Sequence, residues 1–153
     1  MRQLVPALLA VAATGAFADS GEGIQVWLNP GMYSHHFRDG DYREDNSGIG
    51  AEVIVAPEHS IIAGSFINSD RERSRYGGYH WRPWRWASAG LNLSTGLVFA
   101  LIDGYSNTNQ GDWFPVALPA LSAEYGHFGA NLIFVPISKN GAVLALQLKL
   151  RVW

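Results

Sequence analysis

The stretch Ala142-Val143-Leu144-Ala145-Leu146-Gln147-Leu148-Lys149-Leu150-Arg151-Val152 decides the fold. In an extended chain successive side chains point to opposite faces, so Leu144, Leu146, Leu148, Leu150 and Val152 line one face while Gln147, Lys149 and Arg151 line the other. Two all-β architectures accept such a strand. A soluble sandwich turns the leucines into its core. A membrane barrel turns them to lipid and leaves the charged side chains to fill its lumen.

The same period of two runs back through the chain. Residues 23–37 place Ile24, Val26 and Leu28 opposite Gln25, Trp27 and Asn29, and Pro30-Gly31 interrupts them with a missing ladder donor. Residues 48–56 set Ile49, Ala51, Val53 and Val55 against Gly48, Gly50 and Glu52. Further strands are predicted over 59–68, 74–84, 87–102, 114–125, 128–137 and 142–152, which brings the total to eight. The first, third, fifth and seventh connections are mostly longer and polar, and the others are short or flanked by aromatics. Outer-membrane barrels alternate long outer loops with short periplasmic turns in this way.

Composition agrees with the barrel. The chain has 153 residues, no cysteine and a formal net charge of −2, so no disulfide framework supports it and nothing draws it to nucleic acid. Its 17 glycines, six Trp, six Tyr and seven Phe against only 16% charged residues suit short strands with aromatic girdles. Arg2, the apolar run 4–13 and Ala16-Phe17-Ala18 read as an export signal cleaved before Asp19, leaving residues 19–153 as the barrel domain. No later run reaches the roughly 20 apolar residues of a membrane helix. The prediction is an all-β, eight-stranded antiparallel up-and-down transmembrane β-barrel, exported to the outer membrane of a Gram-negative cell and monomeric there. Trp153 falls out of phase with the leucines, so Leu150 takes the terminal lipid-facing position and residues 151–153 form an extension.

An eight-stranded barrel has a lumen filled mainly by side chains. Glu52, His80, Glu124, Gln147, Lys149 and Arg151 are predicted to fill it as a network of paired charges.

The segment Phe66-Ile67-Asn68-Ser69-Asp70-Arg71-Glu72-Arg73-Ser74-Arg75-Tyr76-Gly77-Gly78-Tyr79-His80-Trp81 reads as a strand end, a charged loop and the next strand. Its spacing of Phe66, Ser69, Tyr76, Gly78 and Trp81 resembles the outer-membrane lipid A palmitoyltransferases, eight-stranded barrels that move an acyl chain from a phospholipid to lipid A. Trp113-Phe114-Pro115, Leu118-Pro119, Tyr125-Gly126, Phe134-Val135-Pro136, and Tyr42 and Glu44 before Gly48 are similar to the same family. The resemblance implies side doors for lipid chains at Pro119 and Pro136, where a proline opens a gap in the ladder; a bulge that bends the strand is the alternative. It also implies a histidine at the top of the first strand. Counting in twos from Gln25 and Asn29 selects His35, and a bulge at Pro30 would select His36 instead. The family's Asp-Ser pair falls on Asn68 and Ser69: the serine is present and the acid is replaced by an amide. Asp70 and Asp103, predicted at the same rim, are candidates for the missing acid. No N-terminal amphipathic helix fits ahead of Ile24, and the first loop is shorter than the family's.

Two functions are open. In the first, His35, Asn68 and Ser69 catalyse acyl transfer between membrane lipids, phospholipid and lipid A, with His35 as base. In the second the barrel is non-catalytic, with a structural or lipid-binding role, and Asn68 and Ser69 only bond local backbone. Neither calls for a cofactor or a metal, since adjacent histidines on a strand point to opposite faces. Arg71, Arg73 and Arg75 read as solvated loop charge, and Trp81, Trp84 and Trp86 as an aromatic belt.

Overall fold

A computed structural model describes residues 23–137 and 141–153; the expected export signal lies outside these residues. The chain forms β1 (Gln25–His36), β2 (Asp45–Ala56), β3 (His59–Ile67), β4 (Arg73–Ser88), β5 (Leu91–Ile102), β6 (Phe114–Tyr125), β7 (Phe128–Ile137) and β8 (Gly141–Arg151). Each strand pairs antiparallel with its sequence neighbours, and β1 pairs with β8, closing an up-and-down barrel. The sandwich alternative is thereby excluded.

The faces follow the alternation of the sequence. Leu148, Ile49 and Phe128 are 60%, 70% and 71% exposed on the outside, while Gln147 and Lys149, between the leucines of β8, are buried in the lumen. Short turns at 57–58, 89–90 and 126–127 close one end of the barrel. Residues 37–44, 68–72 and 103–113 form the other, long-loop end. The strand β4 runs to Ser88, four residues beyond its predicted end, and β5 starts at Leu91 rather than Ala87. The cause is the turn: Ala89 (φ 50°) and Gly90 (φ 84°) both adopt positive φ, as a two-residue hairpin requires. Trp86 therefore joins Trp84 in the strand, the two opposite Leu93 and Thr95.

Two of the barrel's irregularities bear on the site. The β1–β2 register shifts between Asn29 and Gly31, where Gly31 has φ 106° and a Cβ would run into the backbone of β2. Beyond this bulge the inward positions change from odd to even. The second irregularity is a seam. The β6–β7 ladder runs from Tyr125↔Phe128 up to Ala120↔Ile133 and stops there. Above it, residues 114–119 pair only with β5 and residues 134–137 only with β8. Pro119, which has no amide hydrogen, is the first residue past the end of the ladder, and Pro136 stands on the opposite side of the gap.

The lumen is layered. Paired positions Ala120, Ile133 and Ala145 are followed one step toward the short-turn end by Ser122, Asn131 and Gln147. Above that level the inward residues beside the seam are Phe114, Val116, Leu118, Val135 and Val143. Below it most of the predicted polar network is present, with Arg82 added to it and Arg151 outside its bonds. Lys149 Nζ donates to Glu52 Oε2 (2.6 Å) and Glu124 Oε1 (2.7 Å), and Arg82 Nη1 donates to Glu124 Oε1 (3.0 Å). Glu52 also accepts from Ser60 (2.8 Å) and Asn131 (3.3 Å) and faces His80 Nδ1 at 3.3 Å. At the chain end, the backbones of Val152 and Trp153 bond Val26, so the last residues extend the β1–β8 edge past Arg151.

Candidate functional site

The rim at the long-loop end gathers the residues expected to carry chemistry. The bulge at Pro30-Gly31 decides which histidine faces inward, and it corrects the count made from Gln25 and Asn29. His35 lies on the outer face with a side chain 55% exposed, its ring edge-on to Phe37 (5.0 Å, 89°) and its Nδ1 3.5 Å from Glu44 Oε1. His36 takes the inward phase shared by Ser34. Its ring stacks on Tyr42 (4.2 Å, 8°), its Nδ1 is buried without a hydrogen-bond partner, and it lines a rim cavity of about 400 Å³ with Arg38, Tyr42 and Glu44. A one-residue slip flips every side chain beyond it.

Glu44 organises the top of β1. Its Oε2 accepts the Tyr33 hydroxyl (2.8 Å), and its Oε1 accepts the His36 backbone N–H (3.4 Å) beside His35. These two bonds, the Tyr33 one foremost, hold its carboxyl below the ordinary carboxylate value. The first loop is pinned to the third strand's end, since the Arg43 N–H donates to the Ser69 carbonyl (3.0 Å).

Asn68 is fully buried, and all of its amide is used. Its Nδ2 donates to Ser74 Oγ (3.0 Å) and the Gly104 carbonyl (2.8 Å), and its Oδ1 accepts the N–H groups of Asp70 (3.0 Å) and Glu72 (2.9 Å). A carboxylate could accept the last two but could not donate the first two. The amide thus ties β3, its loop and the 103–113 loop together, and its side chain is committed to loop structure. Among the described residues the Ser69 hydroxyl makes no hydrogen bond, so it remains available to a ligand.

The two candidates for the missing acid differ. Asp103 is buried and engaged by Arg75, accepting its backbone N–H (2.6 Å), its Nε (2.8 Å) and its Nη2. Asp70 is exposed, and its charge is felt by both His36 and Tyr105. Burial, with that charge adding to it, pushes the Tyr105 phenol up to about 12. A further tie crosses the rim: Glu72 accepts the Ser106 N–H (3.0 Å) and hydroxyl, which hold its carboxyl below its ordinary value.

The structure therefore brings His36, Tyr42, Glu44, Ser69 and Asp70 to one rim, with His35 turned outward and Asn68 bonded into the loops. An imidazole with an unpartnered nitrogen, an uncommitted hydroxyl and a nearby carboxylate can accept and return a proton. Glu44 escaped the sequence reading as a site residue. The signal that could have found it was Pro30-Gly31, whose bulge moves the inward histidine to the loop that Glu44 closes. No group of three or more metal-ligating side chains occurs among the described residues. The sequence matches no known protein-family model and no curated protein.

Proposed function

We propose that this chain is an outer-membrane barrel that admits a lipid acyl chain through the β6–β7 seam and transfers it from a phospholipid to lipid A at the rim. The observation that carries the reading is the seam itself: the ladder ends at Ala120 and Ile133, beside Pro119, next to an apolar stretch of lumen lined by Leu118, Val116 and Val135. Unpaired backbone is tolerated in a bilayer only where it lines a cavity or protein, so such a gap suits an entry route. In the transfer, His36 takes the proton of the lipid A hydroxyl as that oxygen attacks the ester carbonyl. A new ester bond forms, the bond to the glycerol oxygen breaks, and the departing oxygen receives the proton from the imidazolium.

Asn68 favours a second reading. Its four hydrogen bonds account for its identity without any catalysis, so a barrel that holds a lipid chain without reacting is consistent with the same rim. Expression in a host lacking its own lipid A palmitoyltransferase, with mass spectrometry of lipid A, separates the two. Acyl transfer adds one acyl chain, which His36→Ala abolishes and His35→Ala preserves. A folded barrel that adds none supports the lipid-holding reading.

A further inference from the structure

We infer that the short-turn mouth of the barrel, the end opposite the rim histidines, is an anion site that takes a phosphate group against Arg151 and Arg82. A cavity of about 330 Å³ opens there, lined by Gln25, Trp27, Arg82, Glu124 and Arg151 among others. Its lining carries three arginines, Arg82, Arg85 and Arg151, against one carboxylate, Glu124. Inside the barrel Lys149 and Arg82 are matched by Glu52 and Glu124 through direct bonds, two cations against two anions. Arg151 stands outside that balance: among the described residues its guanidinium pairs with no carboxylate, and it lies over the Trp27 ring at 5.9 Å.

Arg82 adds a second feature. It is 3% exposed, bonds Glu124 through Nη1 only, and leaves its Nε–H buried without an acceptor. A guanidinium offers its donors as a planar fork that matches phosphate oxygens, and an anion drawn into the mouth by Arg151 would gain the free Nε–H of Arg82 as that side chain turns toward the cavity it lines. Glu124 does not repel such an anion strongly, because it already accepts from both Lys149 and Arg82. The rigid floor is provided by Trp27, which is buried, hydrogen-bonds Gln25 Oε1 through its indole N–H (3.1 Å) and carries Lys149 over its ring at 4.9 Å. The shared chemistry is a phosphate mono- or diester, free in solution or as a phospholipid headgroup.

The inference does not rest on acyl transfer, and its test leaves the rim untouched. The full barrel in maltoside detergent is titrated with inorganic phosphate while the Trp27 indole N–H is followed by NMR; a second arm uses nanodiscs with and without phosphatidylglycerol. A saturable shift is expected in at least one arm, and which arm responds names the source. Arg151→Gln is expected to weaken the response on the order of tenfold, and Arg71→Gln, at the opposite end, to leave it unchanged. Absence of a saturable shift in both arms, or an Arg151→Gln barrel of unaltered heat-modifiable mobility that titrates like the parent, overturns the inference.

Discussion

The Lys149 ammonium lies 2.6 Å from Glu52 although 97 positions separate them, and the same nitrogen reaches Glu124 at 2.7 Å. One cation thereby ties β2, β6 and β8 across the lumen. Removing one partner of a buried ion pair leaves charge that nothing compensates, a loss of about 3–5 kcal/mol. Lys149→Met is expected to lower unfolding stability by that amount in a urea titration, and Lys149→Met with Glu52→Gln to recover part of it. Equal stability of the Lys149→Met and parent barrels would show that the network bears no load.

Asn68→Asp restores the acid that the resembled family carries. In this rim it removes two donated bonds and buries a carboxylate against the Gly104 carbonyl. The expected outcome is loss of protection of the 103–113 loop in hydrogen exchange, at a cost of about 1–3 kcal/mol, with no gain of acyl transfer. A gain of activity would mean that the position still belongs to the reaction.

The acid response of the rim follows from Glu44. Its folded carboxyl sits below the ordinary value, so its contribution is fully present above the unfolded carboxylate range and is lost as pH falls through the folded value. Amide signals of residues 37–44 are expected to hold steady at neutral pH and broaden only in acid below the ordinary carboxylate range. In Glu44→Gln the acid-dependent change at the His36 amide, which donates to Glu44 at 3.4 Å, should disappear.

Much of this was legible in the sequence because period two is rigid: the leucines of β8 fix lumen and exterior, and Glu52, His80 and Lys149 were assigned inward by counting alone. Counting failed at His35 because one bulge reverses every later position, and proline-glycine signals an interruption without giving its register. Asn68 shows another limit. Its replacement of an acid was visible, yet its reason lies in the Gly104 carbonyl, 36 positions away. The seam was marked by Pro119 and Pro136, but only pairing around the closed barrel shows that the ladder stops at Ala120.

The central claim is that a lipid chain occupies the upper lumen beside the seam. The most direct measurement places a diazirine leucine analogue at Leu118, irradiates the membrane fraction of the expressing cells and identifies adducts by mass spectrometry. Leu148, on the outer face, is the lipid-contact control. A lipid adduct at both positions is predicted; adducts at Leu148 with none at Leu118 would contradict the account.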